Sequence, residues 1–502
     1  MALNAVGFTL AYAVARQINL AHGNVFALTS VAVAYLALGL GVPADAPPGA
    51  RVGALVLLAA AGALVGAGLN GAVERLAFRP FHGRADRIAP LVASVGLAFL
   101  LFQAAIWWFE VANAPPTGVV GHVGVPLPLL AVPELVPKVE LLGGPVSLTL
   151  KDALVLALAG AVVVGLDRAL ARARLGRMLR AVAQDPGLAA LSGVDPARAQ
   201  TLAFALAGAL SGLGAALYTS YYGGAYAQHG LRSGLAAMTA AILGGVGSPR
   251  GALVGGVLIG IFSSFADYLL DAKWTPVLVL LLLIALLALR PGGLAGSVAD
   301  PAPEAVETEP GRRVSGPPAD PLGPPGLRPT LRVPRASVPA VNPLALLALA
   351  GLAYPLLDAA LGWNRLPSAA ATLLLVALAL GLSVVVGQAG LLDLGYAAFV
   401  AIGGYAAAIL TSSGSRLGAL LPEPLRDPWL GVLVAVGAAA LFGLAFGLPS
   451  VRTRGEYLAI VTLAFGEIVP SVIWHLPDWT GGARGMSGVS SPSLGLWPAA
   501  AP

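Results

Sequence analysis

Apolar residues along this 502-residue chain neither alternate nor keep to one helical stripe; they run in blocks. A helix crossing a hydrocarbon layer of about 30 Å needs about 20 mostly apolar residues at 1.5 Å each. Blocks of that kind cover roughly 22–41, 52–73, 88–109, 150–169, 200–221, 251–270 and 274–290. A shorter, Gly-rich stretch lies at 234–247, and a second set follows at 344–361, 368–387, 392–411, 429–449 and 457–475. The pattern predicts an all-α, polytopic transmembrane helix bundle. Ala and Gly recur inside the blocks, as at 59–63 and 208–212. Small residues let membrane helices approach backbone to backbone, so tight packing is expected rather than isolated anchors.

Two segments break the pattern. The apolar run 2–15 makes only about 21 Å of helix at 1.5 Å per residue, and no basic segment precedes it to mark a cleaved signal peptide. Met1 is therefore expected to lie inside the true first helix, the alternative being a half-helix. Residues 291–343 hold Pro301, Pro303, Pro310, Pro317, Pro318, Pro321, Pro324 and Pro325, both charge signs and few bulky apolar residues. Such a segment buries too little surface to fold and is expected to be a flexible cytoplasmic linker. The chain thus divides into a membrane domain at 1–296, a linker at 297–343 and a second membrane domain at 344–502.

The two membrane domains share an order of motifs. Leu97-Ala98-Phe99 is followed nine residues on by Trp108, and Leu463-Ala464-Phe465 nine residues on by Trp474. Upstream, the polar break from Ala15 to Gly23 stands opposite that from Val386 to Tyr396. Two matches in one order favour fused, related domains. The first domain runs about 180 residues past Trp108, whereas the chain ends soon after Trp474, so the second domain is expected to lack its C-terminal half.

Composition narrows the function. Hydrophobic residues make up 57% and charged residues 11%, with a mean hydropathy of +0.84. Soluble domains carry about 25% charged residues, so a water-soluble multidomain enzyme is excluded. There is no cysteine, and His22, His82, His122, His229 and His475 are scattered, which leaves no thiolate site, no metal cluster and no cofactor site to assign. The net charge of +5 does not imply nucleic acid, because the arginines sit in short loops. Arg75, Arg79, Arg84 and Arg87 lie in one, and Arg168, Arg172, Arg174, Arg177 and Arg180 in another, with two spans and the Pro-rich loop 110–147 between them. Placing both on the cytoplasmic side satisfies the span parity and brings Arg250, Arg290, Arg452 and Arg454 inside as well.

No phosphate-binding loop of the GxxxxGK[ST] type, no Ser/His/Asp order and no HExxH spacing occurs, so no catalytic residue is assigned. The chemistry rests on intramembrane polar groups, each costing about 2.5–3.5 kcal/mol at a helix centre if charged. Asn19, His22, Gly23 and Asn24 form one cluster. Either they mark a broken helix lining a solute path, or they cap two helices and close an interhelical contact. Asp393 and Tyr396 are the counterpart, with Asp393 either a path group or a helix cap. Glu467 stands in an apolar span and is expected to face the bundle interior; Ser94 and Gln103 are lesser candidates. The stretch 176–195 reads as a short helix, Pro/Gly punctuation and a second amphipathic piece. It is either a solvated basic loop or a docking helix transmitting force from a cytosolic partner.

These residues carry a family resemblance. Ile18-Asn19-Leu20-Ala21-His22-Gly23, Glu74-Arg75-Leu76-Ala77-Phe78-Arg79-Pro80, the 176–195 stretch, Ala241 to Ser248 and Leu289 to Leu294 resemble the LivH-type permease of the branched-chain amino acid ABC importer family. Gly387-Gln388-Ala389-Gly390-Leu391, the run from Arg454 to Glu467 and Thr480 to Met486 resemble its LivM-type partner. The resemblance implies a multi-pass permease in a bacterial plasma (inner) membrane, moving leucine, isoleucine or valine through the lipid bilayer by alternating access. It implies cytosolic ABC ATPase subunits and an extracytoplasmic solute-binding protein as partners, with ATPase coupling through Ala183, Gln184, Asp185 and Gly193. Urea or short amides are alternative solutes within the same architecture. An ion- or proton-coupled secondary transporter, with Asp393 or Glu467 binding the ion, is the alternative from another class.

Overall fold

The computed structural model describes residues 1–43, 46–82, 88–113, 130–132, 140–142, 148–226, 228–245, 247–289, 293–294, 343–362, 365–450 and 456–490. Arg84, Arg87, Arg290, Arg452 and Arg454, nearly all of the linker and most of the 110–147 loop lie outside the described residues. Two compact units emerge: Met1–Val298 with Leu391–Pro502, and Ala299–Gly390.

The first unit is a helix bundle: α1 (Ala2–Ala15), α2 (His22–Leu40), α3 (Pro48–Val73), α4 (Ile88–Asn113), α5 (Leu150–Arg172), α6 (Arg174–Gln184), α7 (Pro186–Leu191), α8 (Pro196–Tyr222), α9 (His229–Gly244), α10 (Pro249–Leu269) and α11 (Thr275–Leu289). In the second unit, α12 (Pro343–Leu361) and α13 (Leu366–Ser383) are described, α13 running into a π turn at Val384–Gln388. The first unit then resumes with α14 (Ala397–Thr411), α15 (Arg416–Leu420), α16 (Pro428–Ser450), α17 (Glu456–His475) and α18 (Pro477–Thr480). Ten helices among the described residues are long and apolar enough to cross a membrane, while Ala2–Ala15 and Thr275–Leu289 are shorter apolar helices. Two short antiparallel ribbons, absent from the sequence expectation, pair β1 (Leu130–Ala131) with β4 (Gly224–Ala225) and β2 (Glu140–Leu142) with β3 (Leu148–Thr149).

Caps set the helix starts. Thr149 and Asp152 close a reciprocal capping box on α5, Asp185 accepts from Leu188 N ahead of Pro186, Asp195 accepts from Ala197 N ahead of Pro196, and Ser248 accepts from Gly251 N. Each supplies an acceptor to the free N–H groups of the first turn, and proline at the first helical position has no N–H to satisfy. Hence α8 begins at Pro196, earlier than the apolar block at 200 suggests. By contrast α14 starts at Ala397, later than the predicted 392. There the chain is turned by Asp393 Oδ1 accepting from Gly395 N (2.8 Å) and by Leu394 N donating to Thr462 Oγ1 (3.0 Å). Helix α3 continues through a π turn at Glu74–Phe78 and a 3-10 turn to Phe81.

Helix α8 packs against α1, α2 and α3 and lies at the centre of the first unit. Its contact with α3 is made of glycine: a Cβ at Gly62 would fall 2.6 Å from Gly212 O, and one at Gly66 2.2 Å from Gly208 O. The two backbones touch, which lipid-embedded helices use in place of a hydrophobic drive. We predict that Gly208→Ala, whose methyl would lie 2.6 Å from Asn70 Cβ, destabilises by about 1–3 kcal/mol or more. Gly68→Ala on the same α3, with nothing within 4 Å of its added Cβ, leaves the melting temperature unchanged or higher. Thermal unfolding of detergent-solubilised variants distinguishes the two.

Candidate functional site

Helix α1 stops at Ala15 because Arg16 takes a left-handed conformation (φ 51°), its N–H donating to Tyr12 O at 2.7 Å. Few residues other than glycine sit there, and for arginine it costs of the order of 1 kcal/mol. Residues 16–21 then run outside any helix until α2 opens at His22. The expected helix break is therefore present; Asn19 within it is buried, Gln17 half-buried and Arg16 exposed. Asn19 Nδ2 donates to Asn70 Oδ1 (3.0 Å), and Asn70 Nδ2 to Phe204 O (2.7 Å), so one amide pair ties the break to α3 and α8. Leu20 N donates to Ser94 Oγ (3.3 Å), tying it to α4.

The first turn of α2 repeats this arrangement. His22 Nε2 lies 3.2 Å from Asn4 O, which fixes it as the donor, and Asn24 Nδ2 donates to Ala98 O at 2.9 Å. Gly23 lets α9 in: a Cβ there would fall 2.6 Å from Gly234 Cα. Asn19, His22 and Gly23 line a narrow cleft with Phe8, Leu20, Leu231, Gly234, Leu235 and Met238, with room for no more than about one water molecule. These polar residues thus do close interhelical contacts. Two acceptors remain unused, however: His22 Nδ1 and Asn24 Oδ1 have no hydrogen-bond partner among the described residues. Asn4 Nδ2 and Thr9 Oγ1 are unpaired in the same way. Gln103, the lesser candidate, is exposed.

Sequence reasoning missed His229. At the start of α9 it is buried among Phe26, Tyr218 and Tyr226, with ring centroids 5.4, 4.9 and 4.8 Å away. Ser30 Oγ donates to Ala27 O (2.7 Å), so His229 Nε2, 2.8 Å from the same oxygen, must be the donor to it. Its Nδ1 is left a bare acceptor among the described residues. A lone histidine in apolar sequence carries no signal, and only the fold brings Ser30 and three aromatic rings to it. Glu74 was also passed over. Fully buried on the π turn, it accepts from Thr201 Oγ1 (3.0 Å) and lies 3.7 Å from His82 Nε2.

The second break carries Asp393 and Tyr396. Asp393 serves the local turn, while Tyr396 is the residue before α14, its ring 6.3 Å from Phe399. Glu467, midway along α17, is partly buried. Leu392 and Leu394 join Ile18 and Leu20 in one apolar cluster with residues of α9, α11 and α17. The two breaks therefore meet around a common core, although Asp393 and Glu467 are not hydrogen-bonded to the Asn19–Asn70 pair.

Ala183, Gln184, Asp185 and Gly193 fall together on the α6–α7 hairpin. Asp185 caps α7, and Gly193, at φ 82°, closes it with Gly193 N donating to Ala190 O and Val194 N to Ala189 O. The arginines around it do more than mark a side. Arg177 Nη1 and Arg180 Nη1 donate to the terminal α5 carbonyls of Arg172 (3.1 Å) and Leu170 (2.6 Å), and Arg250 holds Asp167 through two bonds of 2.9 and 3.0 Å. On α7, Leu188 and Leu191 are 63% and 86% exposed, an apolar pair on a helix too short to enter a membrane.

A family described as "Branched-chain amino acid transport system / permease component" matches residues 1–287 and 364–494. The high-affinity branched-chain amino acid transport system permease protein BraD of Pseudomonas aeruginosa is 31% identical over 303 residues, 59% of this chain and 91% of that protein. LivH of Escherichia coli K12 is 29% identical over 301 residues, again 59% and 91%. LivM of the same organism is 40% identical over 151 residues, 30% of this chain and 32% of LivM. No solved structure matches.

The Asn19–Asn70 pair gives a prediction. Asn70→Leu strands the buried Asn19 amide, which costs about 1–3 kcal/mol, whereas Phe204 O lies inside α8 and keeps its bond within the helix. The double variant Asn19→Leu/Asn70→Leu should be less destabilised than the sum of the single changes, as a double-mutant cycle in thermal unfolding would reveal.

Proposed function

The chain belongs to the branched-chain amino acid transport permease family, and from that premise we infer that it is the membrane permease of an ABC importer for leucine, isoleucine and valine. It is a multi-pass membrane protein with transport permeases as its homologues. The reading extends to organisation: residues 1–296 act as a LivH-type half and 344–502 as a LivM-type half, tethered through 297–343, in a bacterial plasma (inner) membrane. Separate cytosolic ATPases hydrolyse ATP, and an extracytoplasmic binding protein delivers the amino acid.

The observation that carries this is a buried polar helix break, Asn19 to Asn24, within a chain matched by the family across both halves. A zwitterion crossing an apolar bundle needs groups to replace its water. The unused acceptors His22 Nδ1 and Asn24 Oδ1 suit the N–H donors of an ammonium group or of its escorting water. Asp393, Tyr396 and Glu467 would serve the second half of the path. The narrow cleft fits a closed resting state that opens when the bundle moves. On the cytoplasmic side, Ala183, Gln184, Asp185 and Gly193 shape the α6–α7 hairpin, and exposed Leu188 and Leu191 supply the apolar contact an ATPase groove would cover.

Reconstituted in liposomes with its ATPases and binding protein, the chain is expected to take up leucine only with ATP, with isoleucine and valine competing and urea not. Asp185→Arg, which removes the α7 cap and reverses its charge, should lower ATP-driven uptake at least about tenfold while membrane insertion persists. Uptake that persists without ATPases and collapses with an ionophore would instead select an ion-coupled carrier.

A further inference from the structure

Arg16 occupies an unusual place. Its backbone ends α1 in the left-handed conformation, and its side chain leaves the α1–α2 break altogether. Arg16 Nη2 donates to Ala183 O (2.7 Å) and to Gln184 O (3.1 Å), the last carbonyls of α6. These carbonyls have no partner further along the helix and carry the negative end of its dipole, so a guanidinium is the group best suited to hold both. Three residues further on, Asn19 is clamped through Asn70 to Phe204 O, and Leu20 is clamped to Ser94. The segment between carries no helical hydrogen bonds of its own that would absorb a displacement.

We propose that Arg16 is the positioning residue that transmits movement of the α6–α7 hairpin to the helix break at Asn19 to Asn24. The inference rests on the docking role proposed above for that hairpin. A shift of the α6 C-terminus draws Arg16 with it. The strain then falls on the Asn19–Asn70 pair and on the seat of Gly23 against α9, which is where the narrow cleft lies. An arginine that only capped α6 would not need a left-handed backbone; a glycine would end α1 at less cost. Here the strained backbone and the two carbonyl bonds occur in the same residue.

The test measures ATP hydrolysis and leucine uptake together in the fully assembled, reconstituted transporter. R16G removes the guanidinium and its two bonds to the α6 carbonyls while relieving the left-handed strain, so thermal unfolding of the assembled complex is measured first to establish that the variant folds and assembles. Its hydrolysis should stay within about twofold, while leucine carried per ATP falls about tenfold or more. R16K, with an ammonium able to reach a carbonyl, should recover part of that ratio. An unchanged ratio in R16G would overturn the proposal, as would hydrolysis and uptake falling in parallel. A wild-type assembly without nucleotide-driven uptake would remove the functional reading itself, and with it this role.

Discussion

The glycine contact between α3 and α8 is the constraint on which the remaining arrangement depends. Gly62 and Gly66 meet Gly208 and Gly212 with no side chain between them. Only at that separation can Asn70, on α3, reach across to Phe204 O on α8 and to Asn19 at the helix break. Were the helices held apart by the 8–10 Å usual for larger side chains, the amides would hang in an apolar interior with no partner. Close packing in this bundle is thus what makes buried polarity tolerable, since each unmatched group in such surroundings costs more than it would at a surface.

The polar groups in turn make the break a defined object rather than a loose connection. Three of its groups are tied to three different helices: Asn19 to α3 through Asn70, Leu20 to α4 through Ser94, and Arg16 to the end of α6. The same logic appears at the second break, where Thr462 of α17 supplies an acceptor for Leu394 N. In both places chain that would be loose in water is held at fixed length by neighbouring helices, the condition under which irregular backbone survives at membrane depth.

Most of the helices were readable from sequence because twenty apolar residues in a row have few alternatives. Errors fell where apolar content stopped being the deciding quantity. Helix α9 begins at His229 rather than near 234 because its first turn faces Phe26 and Tyr218, not lipid. The late start of α14 follows from Asp393 folding back on Gly395, a local bond that hydropathy does not register. At the site, Asn19, His22 and Asn24 were legible because polar residues are conspicuous among alanines. Arg16 was not, although it stands in the same stretch: an arginine at the end of an apolar run reads as an ordinary charge flanking the membrane. Its significance comes from two carbonyls 167 and 168 positions away. Glu74 was hidden likewise, within a motif rich in arginine.

The π turn at Glu74–Phe78 holds one residue more than an α-helical turn would. Such a turn amounts to a single-residue insertion that the helix has absorbed without breaking. Each residue advances an α-helix by about 100°, so the insertion sets the azimuth of everything downstream, from Arg75 to Phe81, relative to the glycine face upstream. Gly62, Gly66, Asn70 and Glu74 follow one another at intervals of four, so the rod presents glycine, an amide and a carboxylate to α8 on one face, and the offset turns only what comes after them. A variant that lost the extra residue would keep the rod, its hydropathy and its length almost unaltered and leave Glu74 in place, yet would swing Phe78 and Arg79 to another compass bearing. The count of residues from Glu74 to Arg79 thus governs where the rod aims its charge more firmly than does the identity of the apolar residues between them.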